Sequence, residues 1–278
     1  MKIQQSEIAK KLKQLKSLIS AKSSINQGVL FKKNMLMANN FELGVTIAID
    51  ADAAADEIFV IPPKAIDMIE SLPNEIIDIR FMSDKAGEKI IVKSENGSSK
   101  FQTIPAADFQ EVKGFDEGDK PFVCDAVEIE DALARIMYAC AVADNKEVFK
   151  GVLLEGDGEN LNIVACDGVR VAWNRIKYAG EISVVVPKES LVKAFSLGLK
   201  DDVTLDFNGN NAIIKSGDYT VYTRLYNGEF INYRKLLTLR RSRRTGSAFK
   251  KATTSTKCLR KFSSRNSRPK CRSSQLPT

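Results

Sequence analysis

Glu57-Ile58-Phe59-Val60-Ile61-Pro62-Pro63-Lys64 returns further along the chain as Glu181-Ile182-Ser183-Val184-Val185-Val186-Pro187-Lys188. Each octet is an apolar run closed by Pro-Lys, the pattern of a strand that stops where a proline opens a helix. Working outward, Gly28-Val29-Leu30-Phe31 returns as Gly151-Val152-Leu153-Leu154, and Lys93-Ser94 as Lys215-Ser216. Ala107-Asp108-Phe109 returns as Gly228-Glu229-Phe230. The four pairs keep their order, and the offsets drift only from 124 to 121 residues. Chance likeness between strands supplies one such match; an ordered series implies duplication. The chain therefore reads as two copies of one domain, 1–120 and 121–237.

Each copy opens on an amphipathic helix. Ile8, Leu12, Leu15 and Ile19 form one helical stripe, with Ser6 as the expected N-cap and Lys10, Lys13, Gln14 and Ser17 on the opposite face. In the second copy Ile129, Leu133, Ile136 and Cys140 take the stripe, while Asp131, Arg135 and Tyr138 face away. Strands of period two follow at 28–31, 35–38 and 45–49, and at 151–154, 161–165 and 169–173. Gly156-Asp157-Gly158-Glu159-Asn160 has the chemistry of a hairpin turn. The Pro-Lys units start second helices over 65–72 and 189–197. Strands at 76–81, 89–94 and 100–104, matched by 203–207, 212–216 and 219–225, close each copy. Both helices of a copy thus lie on one side of antiparallel sheet, an α+β layering.

Composition divides the chain sharply. Of the 42 Lys and Arg, 13 lie in 238–278, a segment that holds none of the 35 Asp and Glu. That leaves 29 basic against 35 acidic residues in 1–237, a net −6, although the whole chain is +7. The final 41 residues also contain 14 Ser and Thr and almost no apolar periodicity, so they are expected to be disordered. Cys124, Cys140, Cys166, Cys258 and Cys271 form no CxxC pair or ligand spacing, which suits scattered thiols in a reducing cytosol. Lys10, Lys11, Lys13 and Lys16 interrupt the first apolar stretch, and no run suits a signal peptide or membrane span. A cytoplasmic protein is expected.

Catalytic chemistry finds little support. There is no histidine, which removes the usual general base and the commonest metal ligand. Neither GxGxxG nor GxxxxGK[ST] occurs. The carboxylate pairs Asp50/Asp52 and Asp201/Asp202 suit exposed turns better than a metal-dependent nuclease site. No cofactor, no metal and no catalytic residue are expected.

The stretch Leu161-Asn162-Ile163-Val164-Ala165-Cys166-Asp167-Gly168-Val169-Arg170-Val171-Ala172 resembles the central domain of the bacterial sliding clamp, the beta subunit of DNA polymerase III. That family usually reads threonine-aspartate-glycine (or serine)-histidine-arginine-leucine over the second half. Ile104-Pro105-Ala106-Ala107-Asp108-Phe109 resembles its first-domain ending, and 227–237 its second-domain ending. The resemblance implies a DNA-clamp fold with helices on the inner face of a ring around double-stranded DNA. It implies a processivity factor without chemistry of its own. Its partners would be the DNA polymerase III catalytic subunit and the clamp loader, held through short peptide motifs.

On this resemblance the DNA-facing residues are Lys10, Lys13, Arg135, Lys188 and Lys193. For Lys10 and Lys13 the charge pattern alone favours a solvated helix face, and the resemblance reverses that preference toward phosphate contact. Arg135, Lys188 and Lys193 fit either. The peptide pocket maps to Phe149, Cys166, Gly168, Arg170, Val171, Ile231, Lys235 and Leu236, with Val169, Cys166 and Ile231 standing where the family usually has histidine, threonine and proline. Past Leu237 the family begins a third copy, whereas this chain turns basic, as a shifted reading frame or an unrelated fusion would. A truncated clamp in an open assembly is expected, rather than a closed ring of three chains. The rival reading is a nucleic-acid-binding protein acting through its tail.

Overall fold

A computed structural model describes residues 1–19, 28–40, 42–85, 87–111, 121–143, 146–199 and 202–236. The basic segment 238–278 lies outside the described residues. By compactness the chain divides into Met1–Ile231 and Asn232–Thr278.

The first unit contains one element order twice. It begins β1 (Lys2–Gln4), α1 (Gln5–Lys16), β2 (Val29–Lys32), β3 (Met35–Asn39), β4 (Leu43–Ala48) and β5 (Ile58–Ile61). Then come α2 (Pro63–Ser71), β6 (Ile76–Asp84), β7 (Gly87–Ser94) and β8 (Gly97–Gln102). The order repeats as β9 (Phe122–Asp125), α3 (Ala126–Ala134), β10 (Gly151–Asp157), β11 (Asn160–Cys166), β12 (Val171–Lys177) and β13 (Glu181–Pro187). It ends with α4 (Lys188–Ser196), β14 (Asp202–Asn208), β15 (Asn211–Ser216) and β16 (Tyr219–Arg224).

The sheets repeat as well. In one half the strands run β5-β2-β3-β4 and β1-β6-β7-β8; in the other, β13-β10-β11-β12 and β9-β14-β15-β16. All pairings are antiparallel, and β4 pairs with β16, so the halves share one eight-stranded sheet. Its central register sets Val45 opposite Val221, both buried.

Gly28 and Gly151 recur for one physical reason. A Cβ on Gly28 would lie 2.6 Å from the Ile61 carbonyl oxygen and 2.6 Å from Val60 Cγ1. On Gly151 it would lie 2.8 Å from the Val186 oxygen and 2.6 Å from Val185 Cγ1. The strand of the repeated octet, β5 or β13, presses on its neighbour too closely for any side chain there.

α1 buries Ile8, Leu12 and Leu15 completely and packs on α2 while reaching β2 and β3. Each such burial stabilises by about 1.5–3 kcal/mol, and Leu12→Ala would lose roughly 2–5 kcal/mol. Ser6 is not its N-cap. Because β1 runs directly into the helix, Gln4 occupies the cap position without a side-chain cap bond. Asn74 Oδ1, from the α2–β6 turn, accepts the Ser6 N–H at 3.3 Å instead. α3 is capped by Asp125, whose Oδ1 accepts the Glu128 N–H at 2.9 Å. The regular helix ends at Ala134, and a 3₁₀ turn at Met137–Ala139 carries the buried stripe on to Cys140. The third strand of the second copy starts at Val171, not Val169, because Gly168 at φ +86 and Asp167 tie 167–170 into a turn.

In the second unit the described residues are 232–236. Asn232 Oδ1 accepts the Lys235 N–H at 3.2 Å, and the Arg234 guanidinium lies 5.8 Å from the Tyr233 ring centre.

Candidate functional site

The outward face of α1 is cationic. Lys10 and Lys13 are exposed and, among the described residues, form no ion pair. The neighbouring cations are engaged: Lys11 meets Glu7 at 3.2 Å and Asp218 at 3.7 Å, and Lys16 bonds Asp67, which holds its ammonium above its ordinary pKa. The counterpart helix α3 has the opposite character. Glu128, Glu130 and Asp131 are exposed on it, and Arg135 just beyond lies 3.9 Å from Asp131. Exposure leaves that pair weak.

Lys193 is only half exposed. Its ammonium donates to the Gln14 carbonyl oxygen at 2.7 Å and to Ser17, and burial lowers its pKa. The Gln14 side chain completes the joint, donating to the Leu197 oxygen at 3.0 Å and accepting from the Tyr219 hydroxyl at 3.3 Å. Lys193 therefore fastens one copy to the other, and its amine is committed inward. Lys188 opens α4, half-buried; its charge acts on the Cys140 thiol, lowering it against the larger upward push of burial.

The stretch 166–171 forms a rigid projecting turn. Asp167 Oδ1 accepts the N–H groups of Val169 at 3.0 Å and Arg170 at 2.7 Å, while its Oδ2 takes the Arg170 guanidinium at 2.8 Å. These donors, the Arg170 N–H foremost, hold the Asp167 carboxyl at about 2. Cys166 is buried, and its sulfur accepts the Gly168 N–H at 3.1 Å. Val169 at the tip is 92 % exposed, an apolar side chain presented to water. Val171, half-buried, starts β12.

Phe149 is buried and meets Phe230 edge-on, ring centres 6.1 Å apart. Ile231 follows, half-buried. Lys235 and Leu236 belong to the second unit. Among the described residues no cluster of three or more Cys, Asp or Glu could hold a metal ion, and no helix is long and apolar enough to cross a membrane.

Residues 125–232 match the family described as DNA polymerase III beta subunit, central domain. A beta sliding clamp of Pseudomonas aeruginosa is 28% identical over 203 residues, covering 70% of this chain and 54% of that protein. A crystal structure of the DNA polymerase III subunit beta from the same organism aligns with a TM-score of 0.77 at 25% identity, covering 85% of this chain and 67% of that one. Over these residues the chain is similar to the bacterial sliding clamps. It spans about half the length of the curated relative it matches. A further Pseudomonas aeruginosa sliding clamp, TM-score 0.76 and 25% identical over 84% of this chain and 66% of that one, is described as bound to griselimycin.

Three structural anchors escaped sequence reading. Asp167 sits inside the stretch that carried the resemblance, and an Asp followed within three residues by Gly is a turn signal that could have identified it. Gln14 was taken as part of a polar face, and its role depends on a partner 183 residues away. Phe230 stood in the repeat, paired by sequence with Phe109, but nothing local tied it to Phe149.

Proposed function

We propose that this chain acts as a sliding clamp, a processivity factor that encircles duplex DNA without reading its sequence and tethers the replicative polymerase. The observation that carries this is the duplicated domain, joined edge to edge through β4 and β16, together with the likeness to solved clamps over 85% of the chain. The domains are 1–120 and 121–237, followed by the basic segment 238–278. Chemistry is not part of the role; positioning is.

Lys10 and Lys13 are the principal phosphate contacts, and Lys188 at the start of α4 adds a third cation. Arg135 and Lys193 contribute less, the first shared with Asp131 and the second turned inward. Phosphate contact without base readout gives the loose, salt-sensitive grip that sliding needs. Within the first unit, Phe149, Cys166, Gly168, Arg170, Val171 and Ile231 supply the site for short peptide motifs of the polymerase catalytic subunit and the clamp loader. The chain works in the cytoplasm as a truncated clamp, in an open homo-oligomeric assembly rather than a closed ring of three chains.

The rival reading rests on the 13 basic residues after Leu237, which would bind any polyanion. Fluorescence anisotropy of the full chain on a short duplex, across a salt series, separates the two. Lys10→Glu with Lys13→Glu should weaken binding and flatten the log–log salt slope by about 1.8, at roughly 0.9 per lost contact. Unchanged binding in that variant, abolished by removing 238–278, would favour the tail. Calorimetric titration with griselimycin tests the pocket separately, since the tail has no part in it.

A further inference from the structure

Three Asn-Gly pairs occur in the chain: Asn96-Gly97, Asn208-Gly209 and Asn227-Gly228. Such a pair is able to modify itself. The glycine amide nitrogen attacks the asparagine side-chain carbonyl carbon, the bond from that carbon to the side-chain nitrogen breaks, and ammonia leaves with the glycine proton. The succinimide ring then takes up water at either carbonyl. One opening gives aspartate; the other gives isoaspartate, with an extra methylene in the main chain. Glycine favours closure because no side chain shields its nitrogen. Closure also needs an unbonded glycine N–H and an asparagine free to leave the extended conformation.

Two of the pairs lack those conditions. Gly97 lies opposite Ser94 across a two-residue turn, a pairing in which both backbone bonds are exchanged, so its N–H is engaged. The same turn is pinned by Ser94 Oγ, which donates to the Gly97 oxygen at 3.3 Å, and by the Glu95 N–H, which donates to Glu75 at 3.3 Å. Asn208 ends β14 opposite Asn211, so the ladder holds its backbone extended. Asn227-Gly228 differs. It follows β16 outside every described strand and helix, and both residues are exposed. Among the described residues, neither the Asn227 side chain nor the Gly228 N–H has a hydrogen-bond partner. Gly228 has φ +136, and a Cβ there would meet Val148 Cγ1 at 3.2 Å, so the fold requires the glycine that makes the pair reactive.

We propose that Asn227 is a self-modification site, converting to aspartate and isoaspartate while Asn96 and Asn208 stay intact. The segment around it is strung between two anchors. The Tyr226 N–H donates to the Val185 oxygen at 2.9 Å, and the Phe230 ring meets Phe149 edge-on with centres 6.1 Å apart. An extra methylene between those anchors unseats one of them. The new carboxylate also arrives in acidic surroundings. It stands two residues from Glu229 and next to Tyr226, whose hydroxyl pKa is raised by burial and then by Glu147, Glu42 and Glu189. Conversion therefore loosens the end of the second copy. It depends on backbone chemistry and not on the clamp reading.

Incubating the full-length chain at mildly alkaline pH, with peptide mapping over time, measures all three pairs in one sample. Asn227 should convert about tenfold faster than Asn96 or Asn208, the factor expected when a ladder bond has to break before closure. The aged chain should melt below a fresh Asn227→Asp variant, which gains the charge without the methylene. Full-length Asn227→Gln, whose longer side chain closes its ring far more slowly, should keep its melting temperature through the same incubation. Conversion of Asn96 or Asn208 at the rate of Asn227 would overturn the inference. So would an Asn227→Gln chain that loses as much stability on ageing as the parent, or an aged parent that melts with the fresh one.

Discussion

Gly28→Ala and Gly151→Ala test whether the two halves obey one structural rule. Gly151 has φ −107, which alanine adopts freely, so the obstacle at that site is space and not backbone conformation. The new methyl would sit 2.8 Å from the Val186 carbonyl oxygen and 3.0 Å from the Tyr226 ring; at Gly28 it meets the Ile61 oxygen at 2.6 Å. A carbonyl in a strand ladder cannot retreat without stretching the ladder. Overpacking of this kind destabilises by about 1–3 kcal/mol. Alanine recovers roughly 0.4–1 kcal/mol by restricting the unfolded chain, which leaves a net loss of about 1–2 kcal/mol at each site. Urea unfolding should show both midpoints lowered with the slope unchanged. A variant as stable as the parent at either position would refute the common rule.

Asp167→Asn should loosen the projecting turn and lower the melting temperature at neutral pH, read by calorimetry. The Asp167 carboxyl titrates at about 2 in the fold, below its ordinary range near 4, so its contribution is full above pH 4 and fades as pH falls toward 2; acid melting curves of the Asn variant should lack that component. Burial pushes Cys124 to about 12 and Cys140 to about 11, so iodoacetamide at pH 8 should leave both untouched in the native chain and label both after denaturation. Labelling of either at the rate of a free thiol would show those sites to be open. Glu130→Lys on α3 should raise duplex affinity and steepen the salt slope by about 0.9 if that helix faces DNA; anisotropy across a salt series checks it.

The duplication was legible because its cause is local. Gly28 and Gly151, or the Pro-Lys units, each answer to a contact that the topology repeats, and so the letters repeat. The helix stripes were legible through spacing alone. β1 and β9 were not, since three or four residues cannot display a period, and missing them misplaced the N-cap of α1. The start of the second copy's third strand was read early for a similar reason: Val169 continues the alternation, but the Asp167 carboxylate bonds the backbone and turns the chain. The fate of Lys193 was beyond sequence reading, because a helix position with an outward lysine looks the same whether water or Gln14 receives it.

The charge distribution bears most directly on how such a chain could hold DNA. A body of net −6 repels a polyanion as a whole, so attraction has to be local and short in range. Among the described residues, α1 supplies it with two free exposed lysines, whereas its counterpart α3 offers Glu128, Glu130 and Asp131. The duplicated backbone is thus symmetric and the electrostatics are not. A duplex held against both helices would be drawn to one copy and pushed from the other, which weakens the grip while preserving its position. Reversing α3 with Glu130→Lys should then raise affinity yet slow diffusion along DNA, a trade measurable by single-molecule tracking; faster diffusion in the tighter-binding variant would break the link between charge asymmetry and sliding.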